Sequence, residues 1–373
     1  MTAPLDESAA APDRRRVLRL FASLPLLSAM GGKILSGPHG HLVPLADPAI
    51  PPDPFRRPAA LLVAGPPQGT LHAWAQLVAP VMARSLPPDS TIAISSVGGQ
   101  DGVTAANQFG ARAAPDGRTL LFTPGAAALA WMVGETRAKF DVGAWTPVIG
   151  ASSPGVLMGR FGSEALRAGG VLRLAVDRLP GPDLAGLLAL SLLGGVPHAI
   201  TGLGPAAAEA ALLGGHLDAV VLTGENATTV AARLSARGVP IVASFGALDR
   251  VGALRRDPAF PTVPEVSELA AALHGRPLSG PLYRAWRGCA AAAQLVFGIE
   301  LPALTPSAMV ALWRRAGSEA VDQPDLAAAL ATGTLRPLTG ADALATARTI
   351  AVDGPALLAL RQWLSMRRDV HIG

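Results

Sequence analysis

Cysteine is almost missing from this chain: Cys289 is the single one. One thiol excludes an internal disulfide and any multi-cysteine metal site. Its place before the run Ala290–Ala293 reads as a small buried hydrophobe rather than a nucleophile. Lysine is nearly absent as well, at Lys33 and Lys139 only, so arginine carries the basic balance. The formal charge of +4 is small for 373 residues. No dense basic stripe interleaved with aromatics is present, which argues against a nucleic-acid partner. Catalytic signatures are missing too: there is no G-x-S-x-G elbow, no G-x-x-x-x-G-K-[ST] loop and no H-E-x-x-H. The seven histidines, at 39, 41, 72, 198, 216, 274 and 371, show no metal-ligand spacing beyond His39-x-His41. No cofactor, no metal and no enzyme activity are therefore expected.

Hydrophobic residues make up 50% of the chain, enough for a sizeable core, and the length suggests two domains. From residue 60 onward, apolar strand-like runs alternate with helical ones. Strands are expected at 60–64, 91–95 and 119–122, with helices at 70–85, 102–113 and 125–133. A second series puts strands at 172–176, 197–201, 219–222 and 240–244, with helices at 182–193, 205–213 and 226–236. Such alternation predicts an α/β protein with parallel sheets. A helix is also expected at 307–320. A Pro/Gly/Ala-rich stretch at 271–293 reads as an inserted loop.

Two segments share one layout: residues 61–83 and 113–128 each run from a short strand through a Gly/Pro loop into a helix. Such loops set helix N-termini at the carboxyl ends of strands, where free N–H groups and the helix dipole favour anions. In the first loop, Pro67 fixes the backbone, and Gly69 lets it approach a ligand beside Gln68 and Thr70. In the second, the Thr123 hydroxyl and the amides of Gly125 and Ala126 are the candidate donors. Asp101 is a poor neighbour for an anion and reads as a helix cap. Gly202-Leu203-Gly204-Pro205-Ala206-Ala207 loosely matches a dinucleotide fingerprint, with Gly204 at its centre. Pro205 at a helix start is equally ordinary N1 usage.

The N-terminus reads as an export signal. Arg14-Arg15-Arg16-Val17-Leu18 precedes an apolar stretch at 20–30 that is too short to span a bilayer and is interrupted by Pro25. The paired arginines fit a twin-arginine address to the periplasm. Small residues near 28–30 or at Ala46 offer cleavage sites. Residues 1–46 form the leader and the Pro-rich segment 47–58 a linker. Cleavage after Ala46 leaves a charge of +2.

Several motifs, in register over about 60–373, carry a family resemblance. Pro66-Pro67-Gln68-Gly69 resembles the P-P-G-G loop of the Bug family, the extracytoplasmic receptors of tripartite tricarboxylate transporters. Ala114-Pro115-Asp116-Gly117-Arg118-Thr119-Leu120-Leu121 is similar to that family's A-P-D-G-Y-T-L-L. Leu212-Leu213-Gly214-Gly215-His216-Leu217-Asp218 resembles its L-L-G-G-Q-V-D, and Phe260-Pro261-Thr262-Val263-Pro264-Glu265 resembles its V-P-T-V-x-E.

The resemblance implies a two-lobed periplasmic-binding-protein fold (type 2, venus flytrap). Lobe one would comprise 59–150 and 285–373, and lobe two 151–284. It also implies capture of a small carboxylate between the lobes, burial by hinge closure, integral membrane subunits as partners and action as a monomer. His72 stands where the family has Asp. In the loop 177–183, with Gly181 at its turn, the family's Ser and His are gone. Arg178 there either replaces them as a guanidinium clamp or pairs with Asp177 or Asp183. Two other readings remain: a secreted α/β enzyme using the 202–207 loop, and a degenerate receptor serving as an interaction module. Replacing Arg14 and Arg15 by Lys should leave uncleaved precursor in the cytoplasm on fractionation. Normal processing of that double variant would refute the twin-arginine address.

Overall fold

In the computed structural model, residues 58–367 and 369–370 are described, and the expected leader and most of the linker lie outside them. The chain opens with β1 (Ala59–Ala64), α1 (Thr70–Ala83), β2 (Ile92–Val97), α2 (Val103–Arg112), β3 (Thr119–Thr123) and α3 (Gly125–Val133). β4 (Trp145–Ser152) follows and leads directly into β5 (Val156–Gly159). Then come α4 (Ser163–Arg167), β6 (Val171–Val176), α5 (Asp183–Leu192), β7 (Val196–Thr201), α6 (Pro205–Leu213), β8 (Ala219–Leu222), α7 (Ala227–Ala236) and β9 (Ile241–Ser244). A hairpin of β10 (Ala247–Leu248) and β11 (Leu254–Arg255) precedes α8 (Val266–His274) and α9 (Pro281–Gln294). The chain ends with β12 (Leu295–Pro302), α10 (Ser307–Val321), α11 (Pro324–Thr332), β13 (Arg336–Thr339), α12 (Gly340–Ile350) and α13 (Gly354–Ser365).

Two larger sheets result. The first has the order β13-β4-β12-β3-β1-β2 and the second β7-β6-β8-β5-β9. β1 pairs in parallel with both β2 and β3, as the strand–helix alternation requires. β12 enters antiparallel between β3 and β4, so the C-terminal third of the chain completes the first sheet. Each sheet is covered by helices, giving the two-lobed α/β architecture expected. Helices at 125–133 and 205–213 fall on the expected residues, because each is bounded by Gly or Pro, and the strand at 219–222 also falls where expected.

The expected loop at 271–293 is a misreading. Most of it is α9, a helix with Pro281 at its first turn and Ala285, Trp286 and Gly288–Gln294 buried. Gly and Pro near its start suggested a loop, but the alanine run is strongly helix-forming and tertiary packing decides the rest. Small residues let neighbours approach α9 closely. A Cβ on Gly125 would collide with the Ala292 carbonyl, and one on Gly288 with Val352. Cys289 is fully buried with its sulfur 3.9 Å from that of Met132, the bland reading made from sequence. Burial pushes its thiol up to about 12, so no reactive thiolate forms at neutral pH.

One apolar cluster runs through α9 from the first sheet to the second. It includes Leu121, Met132, Leu174, Leu188, Trp286 and Trp363. The C-terminus extends this joint. Trp363 Nε1 donates to Ser191 Oγ at 3.2 Å, and the Ala199 amide on edge strand β7 donates to Asp369 at 2.7 Å. That contact also satisfies an N–H that an edge strand would leave free.

Close packing at α9 gives a direct test. Gly125→Ala should destabilise the protein by about 1–3 kcal/mol, the range for overpacking. Gly162→Ala, where an added Cβ meets nothing within 4 Å, should change stability by less than about 0.5 kcal/mol. Urea unfolding of both variants checks this, and equal effects would contradict it.

Candidate functional site

The first lobe brings three strand-end loops together. The loop after β1 turns on Gly69, whose amide donates to the Pro66 carbonyl at 2.9 Å and which caps α1 in an extended conformation. Pro67 and Gln68 are exposed, and Thr70 begins α1 on the surface. His72, half-buried one step further on, shares a 2.7 Å hydrogen bond between Nδ1 and Ser96 Oγ on β2. It therefore fixes the first turn of α1 to the neighbouring strand. Asp101 accepts from the Val103 amide at 3.2 Å, the capping role read from the sequence, and pairs with Arg137 at 3.0 Å.

The loop after β3 differs from expectation. Thr123 is 2% exposed, and its hydroxyl lies 3.5 Å from the Pro124 carbonyl. Gly125 is buried, with its Cα against α9. Of the three residues expected there as donors, only Ala126 keeps partial exposure. The physical reason is α9, whose close approach needs that glycine.

In the second lobe, Arg178 is exposed and makes no ion pair among the described residues, so the surface pairing with Asp177 or Asp183 does not form. Gly181 is required by the turn itself, since a Cβ there would strike the Arg178 carbonyl. Asp183, at the start of α5, accepts the Asp177 amide at 3.0 Å. An internal carboxylate thus uses one donor that the loop would otherwise present. Burial pushes the Asp183 carboxyl up to about 6, against the opposing hydrogen bond from Asp177. Gly202 and Gly204 have nothing within 4 Å of an added Cβ. The close backbone packing that gives glycine its meaning in a dinucleotide fingerprint is not used here.

The loop after β8, which the sequence reading passed over, meets the first lobe. Trp74 Nε1 on α1 donates to Glu225 Oε1 at 2.7 Å. Thr228 and Thr334 hydroxyls lie 3.3 Å apart, and the Gly224 amide donates to Ser153 Oγ at 2.8 Å. A cavity of about 430 Å³ lies beside this contact, lined by Thr70, Trp74, Glu225, Asn226 and Gly333 among others. A second, of about 570 Å³, sits at the strand ends of the second lobe against Asp177, Asp183, Leu203, Pro205 and Asn226. Asn226 lines both, so the two adjoin. Thr223-Gly224-Glu225-Asn226 follows an expected strand and precedes an expected helix. That is the same strand-end logic that singled out the other loops.

No family model matches the chain, and no curated protein matches it either. Solved structures do. A TctC solute binding protein from Polaromonas, without ligand, is similar with a TM-score of 0.64 at 18% identity, over 84% of this chain and 99% of that one. MatC from Rhodopseudomonas palustris with bound malate has a TM-score of 0.50 at 22% identity, over 83% and 99%. An R. palustris protein with adipate has a TM-score of 0.50 at 18% identity, over 79% and 94%. The chain thus has the two-lobed fold of these solute-binding proteins. Among the described residues, no group of His, Cys, Asp or Glu is placed to hold a metal ion.

Asp183 yields a pH test. A carboxyl with a raised folded pKa contributes stability that is fully present below its unfolded pKa and is lost as pH rises through the folded one. For Asp183 that window runs from about pH 4 to its folded value of about 6. Asp183→Asn keeps an acceptor for the Asp177 amide and removes the titration. The variant's Tm should therefore rise relative to wild type across that window in calorimetry. A pH-independent difference would contradict the assignment.

Proposed function

We propose that this chain is a periplasmic solute receptor of the Bug type, which captures a small carboxylate between its two lobes and carries out no catalysis. The observation that carries the reading is the pair of adjoining cavities at Asn226, between α1 and the strand ends of the second lobe. Ligands of α/β sheets bind outside such strand ends. The fold shared with the TctC protein, and malate and adipate in the two R. palustris proteins, support a carboxylate as ligand. Lobe one spans 59–150 and 285–373 and lobe two 151–284 in this reading. Residues 1–46 serve as a twin-arginine leader, and integral membrane subunits of a tripartite transporter receive the ligand from a monomeric receptor.

Pro67 has no N–H and the Gly69 amide is taken by the Pro66 carbonyl, so Gln68 and Thr70 are the proposed backbone donors, with Gly69 shaping the loop between them. Arg178 supplies the full positive charge. Asp183 and Glu225 line the same cavities as acceptors. They favour a ligand that adds a hydroxyl or ammonium donor to its carboxylates, because each has only one oxygen engaged, Asp183 by the Asp177 amide and Glu225 by Trp74, and an unsubstituted acid offers the other no donor.

Calorimetry of the exported protein with malate, aspartate, succinate and adipate tests this. Malate or aspartate should bind at one site and more tightly than succinate. Arg178→Ala should weaken binding by about 1.5–3 kcal/mol, the range for hydrogen bonds to charged groups. Absence of binding by all four acids, together with saturable binding of a dinucleotide, would overturn the receptor reading in favour of the 202–207 enzyme alternative.

A further inference from the structure

A third cavity, of about 440 Å³, shares no residue with the two at Asn226. The tip of the β10–β11 hairpin, α9, α12 and the start of α13 enclose it. Four arginines line it: Arg250 from the hairpin, Arg284 and Arg287 from α9, and Arg348 from α12. Two of these charges are answered. Arg284 pairs with Asp353 at 2.9 Å, and Arg250 lies 3.9 Å from Asp342. The other two are not. Arg348 is exposed and has no acidic partner among the described residues. Arg287 donates through Nη2 to the Gly252 carbonyl, while its Nε is buried with no hydrogen-bond partner. That Nε–H is closed off from the cavity, so Arg287 reaches an anion there only through the rest of its guanidinium fork.

We propose that this cavity binds a tetrahedral dianion, a phosphate or a phosphate monoester. The surplus of guanidinium over carboxylate is two charges, which matches one dianion. Several planar forks converging on one space suit oxygens grouped about a single centre. The negative end of α12 at Arg348–Thr349 opposes an anion, but a helix end carries only about half a charge. Val251, Leu344 and Val352 form an apolar wall beside the arginines. That wall, and a volume well above what phosphate alone needs, favour a monoester with an organic flank. The walls are fixed in advance, because Arg287 ties the hairpin to α9 and Asp353 both pairs with Arg284 and caps α13 by accepting the Ala356 amide at 2.9 Å. Preorganised donors lose little on binding.

The test is calorimetry of the exported protein with inorganic phosphate and with phenyl phosphate. One probe molecule should bind per chain. Arg348→Ala, which removes an exposed side chain and leaves the fold intact by circular dichroism, should weaken binding by about tenfold or more. Arg348→Lys should recover part of the loss. Arg287→Lys should weaken both probes while keeping a cooperative unfolding transition. Tighter binding of phenyl phosphate identifies a monoester as the occupant, and equal affinities identify free phosphate. Binding unchanged in Arg348→Ala, or no saturable binding of either probe, would overturn the proposal. Because Arg348 lines neither cavity at Asn226, loss of carboxylate binding there leaves this result unaffected, and the two readings fail separately.

Discussion

The close packing of α9 against α3, α5, α12 and α13 is the constraint on which the rest of the structure depends. Ala290–Ala293 and Gly288 carry almost no side-chain bulk, so helices from both lobes reach the same axis. Trp286 and Cys289 fill what remains and are fully buried. Each large apolar side chain so buried stabilises the fold by roughly 1.5–3 kcal/mol. The result is an apolar cluster that spans both sheets, beside a separate cluster within each lobe. Docking of the C-terminus on β7, through Asp369 and Ala199, adds a further joint on the second sheet.

Away from α9 and the β10–β11 hairpin, the lobes also approach at the loop after β8. There the contacts are polar: Trp74 with Glu225 and Thr228 with Thr334. Small sets of hydrogen bonds can open and re-form at low cost, which an apolar joint cannot do. The adjoining cavities lie beside these contacts. Their acidic lining is the feature that separates this chain from a plain anion trap. Asp183 already accepts one loop amide, and burial holds it on the edge of protonation near neutral pH.

Much of the fold was legible because many elements are bounded by Gly and Pro and because strands and helices alternate over most of residues 59–244. α3, α6 and β8 show this most clearly. α9 was not legible: its Gly and Pro residues imitate a loop, and only the packing of distant helices reveals that its alanines are a seam. The same seam explains the error at the β3–α3 loop. The Gly125 amide was read as a ligand donor, yet the residue is buried and its missing Cβ accommodates Ala292. Glu225 was within reach of the sequence, since its loop follows a strand and precedes a helix like the others. Its bond to Trp74, 151 residues away, was not. The arginine-lined cavity was also hidden, because Arg250, Arg284, Arg287 and Arg348 come from three separate elements.

Hydrogen–deuterium exchange of the exported protein, with and without saturating malate, tests the central claim most directly. Malate should slow exchange in the loops around 65–70, 177–183 and 223–227, while α9 exchanges slowly in both states. Protection confined to the hairpin tip and α12, or none in those three loops at saturation, would contradict capture between the lobes.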